Sequence, residues 1–143
     1  MRADLRPPWG LDGMTLLGSR PALDAWVAGH RDRPGTAVFL NPASMLRFNM
    51  DFSPVAGDLL LIRLATALQT AAPPDVEVYR VSGGQFMAVR LGDDRNSARE
   101  LADLLKGAAL SIPVPPGWSF HVACGVATGA INQRLLEAAE QAM

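Results

Sequence analysis

Two short β-prone runs joined by Ser82-Gly83-Gly84 constrain the fold of this chain more than any other stretch of its sequence. The runs, residues 76–81 and 85–89, are rich in aliphatic and aromatic side chains, which suit a pleated and half-buried surface. Glycine adopts the positive φ that tight hairpin turns need. The sequence therefore predicts a β-hairpin from Val76 to Val89.

Composition and charge indicate one folded domain. The 143 residues are 49% hydrophobic and 19% charged, which is typical of a globular protein with a core and not of a disordered chain. The formal net charge is -1, and Lys106 is the only lysine. The sequence therefore lacks the basic stripe that follows a nucleic-acid backbone, and we expect no nucleic-acid partner.

No segment of the sequence is predicted to enter a membrane. The longest apolar runs are shorter than the ~20 residues that cross a bilayer, and residues 1–10 lack the apolar centre of a signal peptide. Cys124 is the single cysteine, and its apolar surroundings in the sequence favour a small core residue. No Cys and His spacing typical of metal ligands occurs, so we expect a cytoplasmic protein without a metal or other cofactor.

Helix and strand signals alternate along the chain. Helices are predicted at about 20–29, 54–70, 94–107 and 131–143, strands at 36–40, 76–81, 85–89 and 118–127, and a partly helical segment at 43–52. The predicted buried side chains of the second helix are Leu59, Ile62, Leu64, Ala65 and Leu68. Two of the strands are joined by a hairpin, and the others are separated along the chain by helices. This order predicts an α/β (α+β) fold with a mixed, largely antiparallel sheet of about five strands that is packed by helices.

The hairpin sequence is similar to the signature of a known family. Arg80-Val81-Ser82-Gly83-Gly84-Gln85-Phe86 resembles the Arg-x-Gly-Gly-Asp-Glu-Phe motif of GGDEF domains, the bacterial diguanylate cyclase family. Residues 12–20, 120–127 and 135–143 resemble the opening motif, a late strand and the closing helix of that family. The resemblance implies an N-terminal arm at 1–10, one degenerate GGDEF-like domain at 11–143, and a fold related to the nucleotidyl cyclase palm.

The same resemblance implies that the catalytic residues are missing. Asn41 and Ala43 fall on the positions of the two aspartates after the first strand, Leu46 falls on a lysine, and Gly84 and Gln85 replace the signature carboxylates. Mg²⁺ is normally bound through carboxylates, and phosphodiester formation from GTP depends on that metal charge. We therefore expect no cyclase activity, no catalytic residue and no bound metal.

Two residues of the family's guanine site persist, namely Asn49 and Asp58. They could read the edge of a guanine base, or Asp58 could favour the positive end of its helix while Asn49 supports a turn. Arg80 is expected to brace the hairpin, with contact to a ligand phosphate as the alternative. The family's inhibitory product site would fall on residues 73–76, where its arginine is missing.

Two functions remain open at this point. The first is an inactive GGDEF-like domain that acts as a regulatory or protein-interaction module in bacterial cyclic di-GMP-related signalling, with a protein partner or a second copy of itself. The alternative is a non-catalytic sensor of a guanine nucleotide, GTP, GDP or cyclic di-GMP, through Asn49 and Asp58.

Overall fold

A four-stranded antiparallel sheet of order β2-β3-β1-β4 forms the centre of the fold. The structure, a computed structural model, describes residues 11–43, 45–118 and 121–142; the predicted arm at 1–10 lies outside these ranges. In chain order the elements are α1 Arg20–Gly29, β1 Pro34–Pro42, α2 Met45–Asp51, α3 Pro54–Ala71, β2 Glu77–Ser82, β3 Gln85–Leu91, α4 Arg95–Leu110, β4 Val122–Ala130 and α5 Gln133–Gln141.

The α/β fold class and the antiparallel sheet are confirmed, but the predicted number of strands is slightly too high. The sheet has four strands, and a further segment reaches it only through a single parallel bridge between Gly18 and Tyr79. Residues 111–118 form turns and irregular structure. Prolines at 113, 115 and 116 have no N–H to donate to a ladder, which explains why no strand forms there. The last strand begins at Val122 rather than at the predicted Trp118.

Helix α3 begins where the sequence predicts, but a different set of its side chains is buried. Ser53 caps it, because its Oγ accepts a hydrogen bond from the N–H of Ala56 at 3.0 Å. Leu59 and Ile62 were expected in the core, yet they are 54% and 37% exposed. Residues 59–62 are all apolar, so the sequence is compatible with either of two buried helix faces. Packing against the sheet buries the face that contains Leu60, Leu61, Leu64, Ala65 and Leu68.

Helices cover both faces of the sheet, and each face has its own core. On one face, alternate residues such as Val38 and Phe86 pack with side chains of α3 and α4. On the other, neighbours such as Phe39 and Met87 pack with side chains of α1 and α5. This alternation of neighbouring residues between the two cores is the period-two pattern of a strand that is covered on both faces.

Cys124 is half-buried at the first of these cores, where burial raises the pKa of its thiol.

Strand register brings three segments to one end of the sheet. Leu40 pairs with Phe86, and Pro42 pairs with Val122. The end of β1, the turn between β2 and β3, and the start of β4 are therefore neighbours. Every residue that the sequence singled out for chemistry lies at this end or on α2 and α3 beside it. No helix within the described ranges is both long and apolar enough to cross a membrane.

Candidate functional site

The turn between β2 and β3 is braced by Arg80. Its Nε donates to the carbonyl of Gly83 at 2.8 Å, and its Nη1 donates to both carboxylate oxygens of Asp12 at 3.0 and 3.1 Å. Gly83 has a φ of 46°, a left-handed conformation that glycine adopts at little cost. The guanidinium of Arg80 is therefore committed to the turn and to the segment before α1.

Asp12 was not singled out from the sequence, yet it holds residues 11–18 against the hairpin. Its carboxylate also accepts from the N–H of Thr15 at 2.8 Å and from the hydroxyl of Thr15 at 2.7 Å. Partial burial of Asp12 opposes its charged form, but the bonds from Thr15 and Arg80 outweigh that effect. Together they hold the pKa of Asp12 below its usual value. Arg80 is remote from Asp12 in sequence, so only their contact in the structure shows that Asp12 holds this segment in place.

The position of the first signature carboxylate is enclosed by apolar side chains. A Cβ placed on Gly84 would lie 3.1 Å from Cγ of Met45, 3.3 Å from Cγ of Pro42 and 3.4 Å from Cδ2 of Leu61. Next to it, the side chain of Gln85 accepts a hydrogen bond from the hydroxyl of Ser82 at 2.9 Å. Phe86 is fully buried in the core. The turn thus presents an aliphatic wall where the family motif has a charged group.

The residues at this end of the sheet do not fit a magnesium ion. Asn41 is half-buried and Ala43 is exposed, and neither carries a charge. Within the described ranges, no group of three or more His, Cys, Asp or Glu side chains comes close enough together to hold a metal. Mg²⁺ is usually bound by at least one or two carboxylates together with substrate phosphates, and Asn41, Ala43, Gly84 and Gln85 supply none.

Asn49 and Asp58 lie on facing helices. The side chain of Asn49 packs against Gly57 so closely that a Cβ there would overlap its Oδ1. That oxygen is buried and has no hydrogen-bond partner among the described residues. Asp58, the next residue along α3, is exposed, and no described residue donates a hydrogen bond to it or pairs with its charge. Gly57 was missed in the sequence, although a glycine inside a helix often marks a close contact.

Helices α2 and α3 also carry exposed apolar side chains. We call this set the α2–α3 apolar surface: Leu46, Met50, Phe52, Val55, Leu59 and Ile62, between 37% and 76% exposed. Leu46, which the sequence resemblance assigns to a lysine position of the family, is 75% exposed. Charged groups on the same helices are a surface ion pair, Arg47 with Asp51 at 3.3 Å, the carboxylate of Asp58 and the exposed guanidinium of Arg63. Six large apolar side chains, five on two consecutive helices and Phe52 in the turn between them, exceed what scattered surface residues account for.

Sequence comparison alone finds no relative of this chain. No protein-family model matches it, and no curated protein matches it. Similarity appears only at the level of three-dimensional structure, where sequence identities are low.

Solved structures of GGDEF domains superpose well on this chain. The diguanylate cyclase SiaD from Pseudomonas aeruginosa, solved in complex with its activator SiaC, has a TM-score of 0.85 at 17% identity over 92% of this chain and 55% of its own. The GGDEF domain of DgcB from Caulobacter crescentus, solved with cyclic di-GMP, has a TM-score of 0.83 at 17% identity, covering 96% and 90% of the two chains. A sensory box/GGDEF family protein from Caulobacter crescentus CB15 has a TM-score of 0.76 at 27% identity, covering 93% and 94%.

These matches extend over nearly the whole described chain. This chain spans only 55% of the SiaD chain, whereas it spans 90% of the DgcB domain. The sheet, the helices on both of its faces and the hairpin with its altered signature thus belong to one architecture. The chain has a GGDEF-like fold.

Proposed function

We propose that this chain is a catalytically inactive GGDEF-like domain that serves as a cytoplasmic regulatory or protein-interaction module in bacterial cyclic di-GMP-related signalling. The observation that carries the proposal is the aliphatic wall around Gly84, formed by Pro42, Met45 and Leu61. The similarity in structure to a diguanylate cyclase and to a domain solved with cyclic di-GMP supports the signalling context.

The chemistry of cyclisation explains why the wall argues against an enzyme. Joining two GTP molecules develops charge on phosphoryl oxygens, and a metal ion supplies several kcal/mol of stabilisation to such a transition state. Each 1.4 kcal/mol lost slows the reaction about tenfold. Asn41 and Gln85 offer uncharged amides, and Gly84 offers no side chain. Neither charge stabilisation nor a general base is therefore available at these positions.

A protein partner is supported by the α2–α3 apolar surface. Leu46 and Met50 lie one turn apart on α2, and Val55 and Leu59 lie one turn apart on α3, and all four are at least half exposed. Exposed apolar side chains of this number and spacing are typical of protein interaction sites. Of the similar structures, SiaD was solved with a protein activator bound, and we propose a protein-binding role here as well.

The test of inactivity is turnover of GTP. Purified protein is incubated with GTP and either Mg²⁺ or Mn²⁺, and cyclic di-GMP is separated by chromatography, with an active GGDEF cyclase as the positive control. We expect no product above the protein-free blank. A Gly84→Asp variant should also be inactive, because its side chain would meet Met45 and Leu61 instead of a metal. Product formation that Asp58→Ala abolishes would overturn the proposal.

The nucleotide-sensor alternative is favoured by one observation, the buried and unpaired Oδ1 of Asn49. Buried amide oxygens normally have a partner, and a rotated Asn49 side chain could find one on a guanine base, with the exposed carboxylate of Asp58 accepting from the same edge. A mismatched base would leave these polar groups unpaired, which gives selectivity. A sensor must therefore lose its guanine response in Asp58→Ala and keep it in Glu137→Ala, a change of an exposed carboxylate on α5.

A further inference from the structure

Five of the six side chains of the α2–α3 apolar surface form two helical stripes. On α3, Val55, Leu59 and Ile62 are spaced i, i+4 and i+7, so they follow one another along one side of the helix. On α2, Leu46 and Met50 are spaced i, i+4 and form a shorter stripe. Both helices pack on the core at the sheet face opposite to α1 and α5. The result is a ridged apolar surface, which is the shape that packs against other helices.

Phe52, the sixth side chain, lies in the turn between α2 and α3 and is held by ring contacts. Its ring centroid lies 4.7 Å from that of Phe48, and the ring centroid of Phe48 lies 4.9 Å from that of Trp118. Phe48 is buried, whereas Phe52 keeps 45% of its surface exposed. A side chain that is already fixed loses little conformational entropy when a partner covers it. Phe52 is therefore a preorganised contact at the junction of the two helices.

The charges beside these stripes are balanced. The charged residues of the two helices are Arg47 and Asp51 on α2 and Asp58 and Arg63 on α3, and all four are exposed. A strongly acidic or basic partner would gain little net attraction from two charges of each sign. An identical surface offers each arginine a carboxylate and each carboxylate an arginine, which is the complementarity that selects a specific partner. The charge pattern thus favours a second copy of the same surface.

The size of the surface matches what a dimer needs. At exposures of 37% to 76%, the six side chains present on the order of 500 Å² of apolar area, close to the largest patches that monomers leave in water. A standard protein–protein interface covers about 800 Å² on each partner, and somewhat more than half of that area is apolar. The α2–α3 apolar surface therefore supplies the apolar share of such an interface, and the four charged side chains supply a polar rim.

We propose that the α2–α3 apolar surface binds the same surface of a second copy of this chain and makes a symmetric homodimer. In an interface of this kind, the same patch is used on both copies and every contact between two different residues occurs twice. The stripes of one copy pack against the stripes of the other, and Arg47 and Arg63 approach carboxylates across the interface. Self-association through this surface rests on the proposed interaction function and names its partner.

The first test is the mass of the full chain in solution, measured by sedimentation equilibrium between about 1 and 100 μM. We expect the monomer mass of 15.2 kDa at the lower end of this range and twice that mass at the upper end. Leu59→Glu should raise the dissociation constant at least about a hundredfold, because symmetry places two carboxylates in an apolar interface.

Leu91→Glu is the matched control, once circular dichroism has confirmed that both variants fold. Leu91 is 39% exposed, but it pairs with Gly35 at the end of β3 away from the hairpin turn, and the dimer should persist in this variant. A monomer at every concentration of the parent chain, or equal effects of the two changes, would overturn the proposal.

Charge exchange tests the same interface without placing a charge in the apolar stripes. Arg47→Glu/Arg63→Glu makes all four charges negative, and Asp51→Lys/Asp58→Lys makes all four positive. Each double variant alone should dimerise at least about tenfold more weakly, because like charges face each other, and an equimolar mixture should recover a dimer with one copy of each. Native mass spectrometry identifies this mixed dimer, since the two variants differ in mass. Equal dimerisation of the variants alone and mixed would overturn the pairing of the two surfaces.

Failure of self-association is distinct from failure of the proposed function. A chain that stays monomeric, while a different protein binds it and is lost in Leu59→Glu, refutes the second copy as the partner and leaves the interaction role in place. Formation of cyclic di-GMP refutes the proposed inactivity whether or not the chain dimerises.

Discussion

At the scale of single residues, Arg80 has a structural role in this chain. Its bonds to Asp12 and to the carbonyl of Gly83 fix the hairpin turn and tie residues 11–18 to it. These contacts involve no metal and no nucleotide.

Asp12 makes the stability of the fold depend on pH. Its folded-state pKa lies below the ordinary value of 3.8, so the charged form is stabilised by folding. This contribution is present above about pH 4 and is lost as the pH falls through the folded-state pKa. We expect Asp12→Asn to cost about 1 kcal/mol at pH 7 and progressively less as the pH is lowered below about 4, measured by urea unfolding at each pH.

Asp24→Asn is the matched control for this prediction. Asp24 also pairs with an arginine, Arg20 at 3.1 Å, but both side chains are well exposed. Exposed pairs contribute little to stability, so the loss at neutral pH should be smaller. Equal losses in the two variants, or a loss in Asp12→Asn that does not change with pH, would contradict the assigned role of Asp12.

Gly57 is predicted to be intolerant of alanine. The added Cβ would overlap Oδ1 of Asn49, and overpacking of this kind costs about 1 to 3 kcal/mol. Gly107→Ala in α4 is the control, because nothing lies within 4 Å of its Cβ position; there alanine should stabilise the helix by about 0.5 to 1 kcal/mol. Chemical denaturation of both variants measures the difference. Equal effects of the two changes would contradict the packing of α2 on α3.

At the scale of elements, α3 shows what the sequence could and could not predict. Its start was predictable, because a serine cap followed by proline is a local signal. Its buried face was not, because residues 59–62 are all apolar and the choice between stripes depends on the sheet beneath. The predicted count of about five strands was slightly too high for a related reason. Which segments join a sheet depends on neighbours that accept their hydrogen bonds, and neighbours are fixed by the whole fold.

Two adjacent leucines test the orientation of α3. Leu59 is 54% exposed and Leu60 is 3% exposed. Leu60→Ala should destabilise the protein by about 2 to 5 kcal/mol through a cavity in the core, whereas Leu59→Ala should change the free energy of unfolding by less than about 0.5 kcal/mol. Thermal or urea unfolding distinguishes the two. The reverse order would mean that the sequence-based assignment of the buried face was correct.

At the scale of the whole molecule, the sequence predicts which residues stand at the candidate site but not how they pack. The assignment of Asn41, Ala43 and Gly84 to carboxylate positions of the family rests on motif similarity and stays a prediction. That Pro42, Met45 and Leu61 close around Gly84 required the three segments to be placed together.

The central claim is the proposal that this GGDEF-like domain serves protein interaction and neither turns over nor senses guanine nucleotides. A thermal-shift titration with GTP, GDP, cyclic di-GMP and ATP, each with and without Mg²⁺, tests it most directly. A ligand at about 100 times its dissociation constant adds about 2.7 kcal/mol of stability, which such a titration detects readily. We predict no guanine-selective shift and no effect of Mg²⁺. A guanine-selective shift that Asp58→Ala abolishes would contradict the account and establish a nucleotide sensor instead.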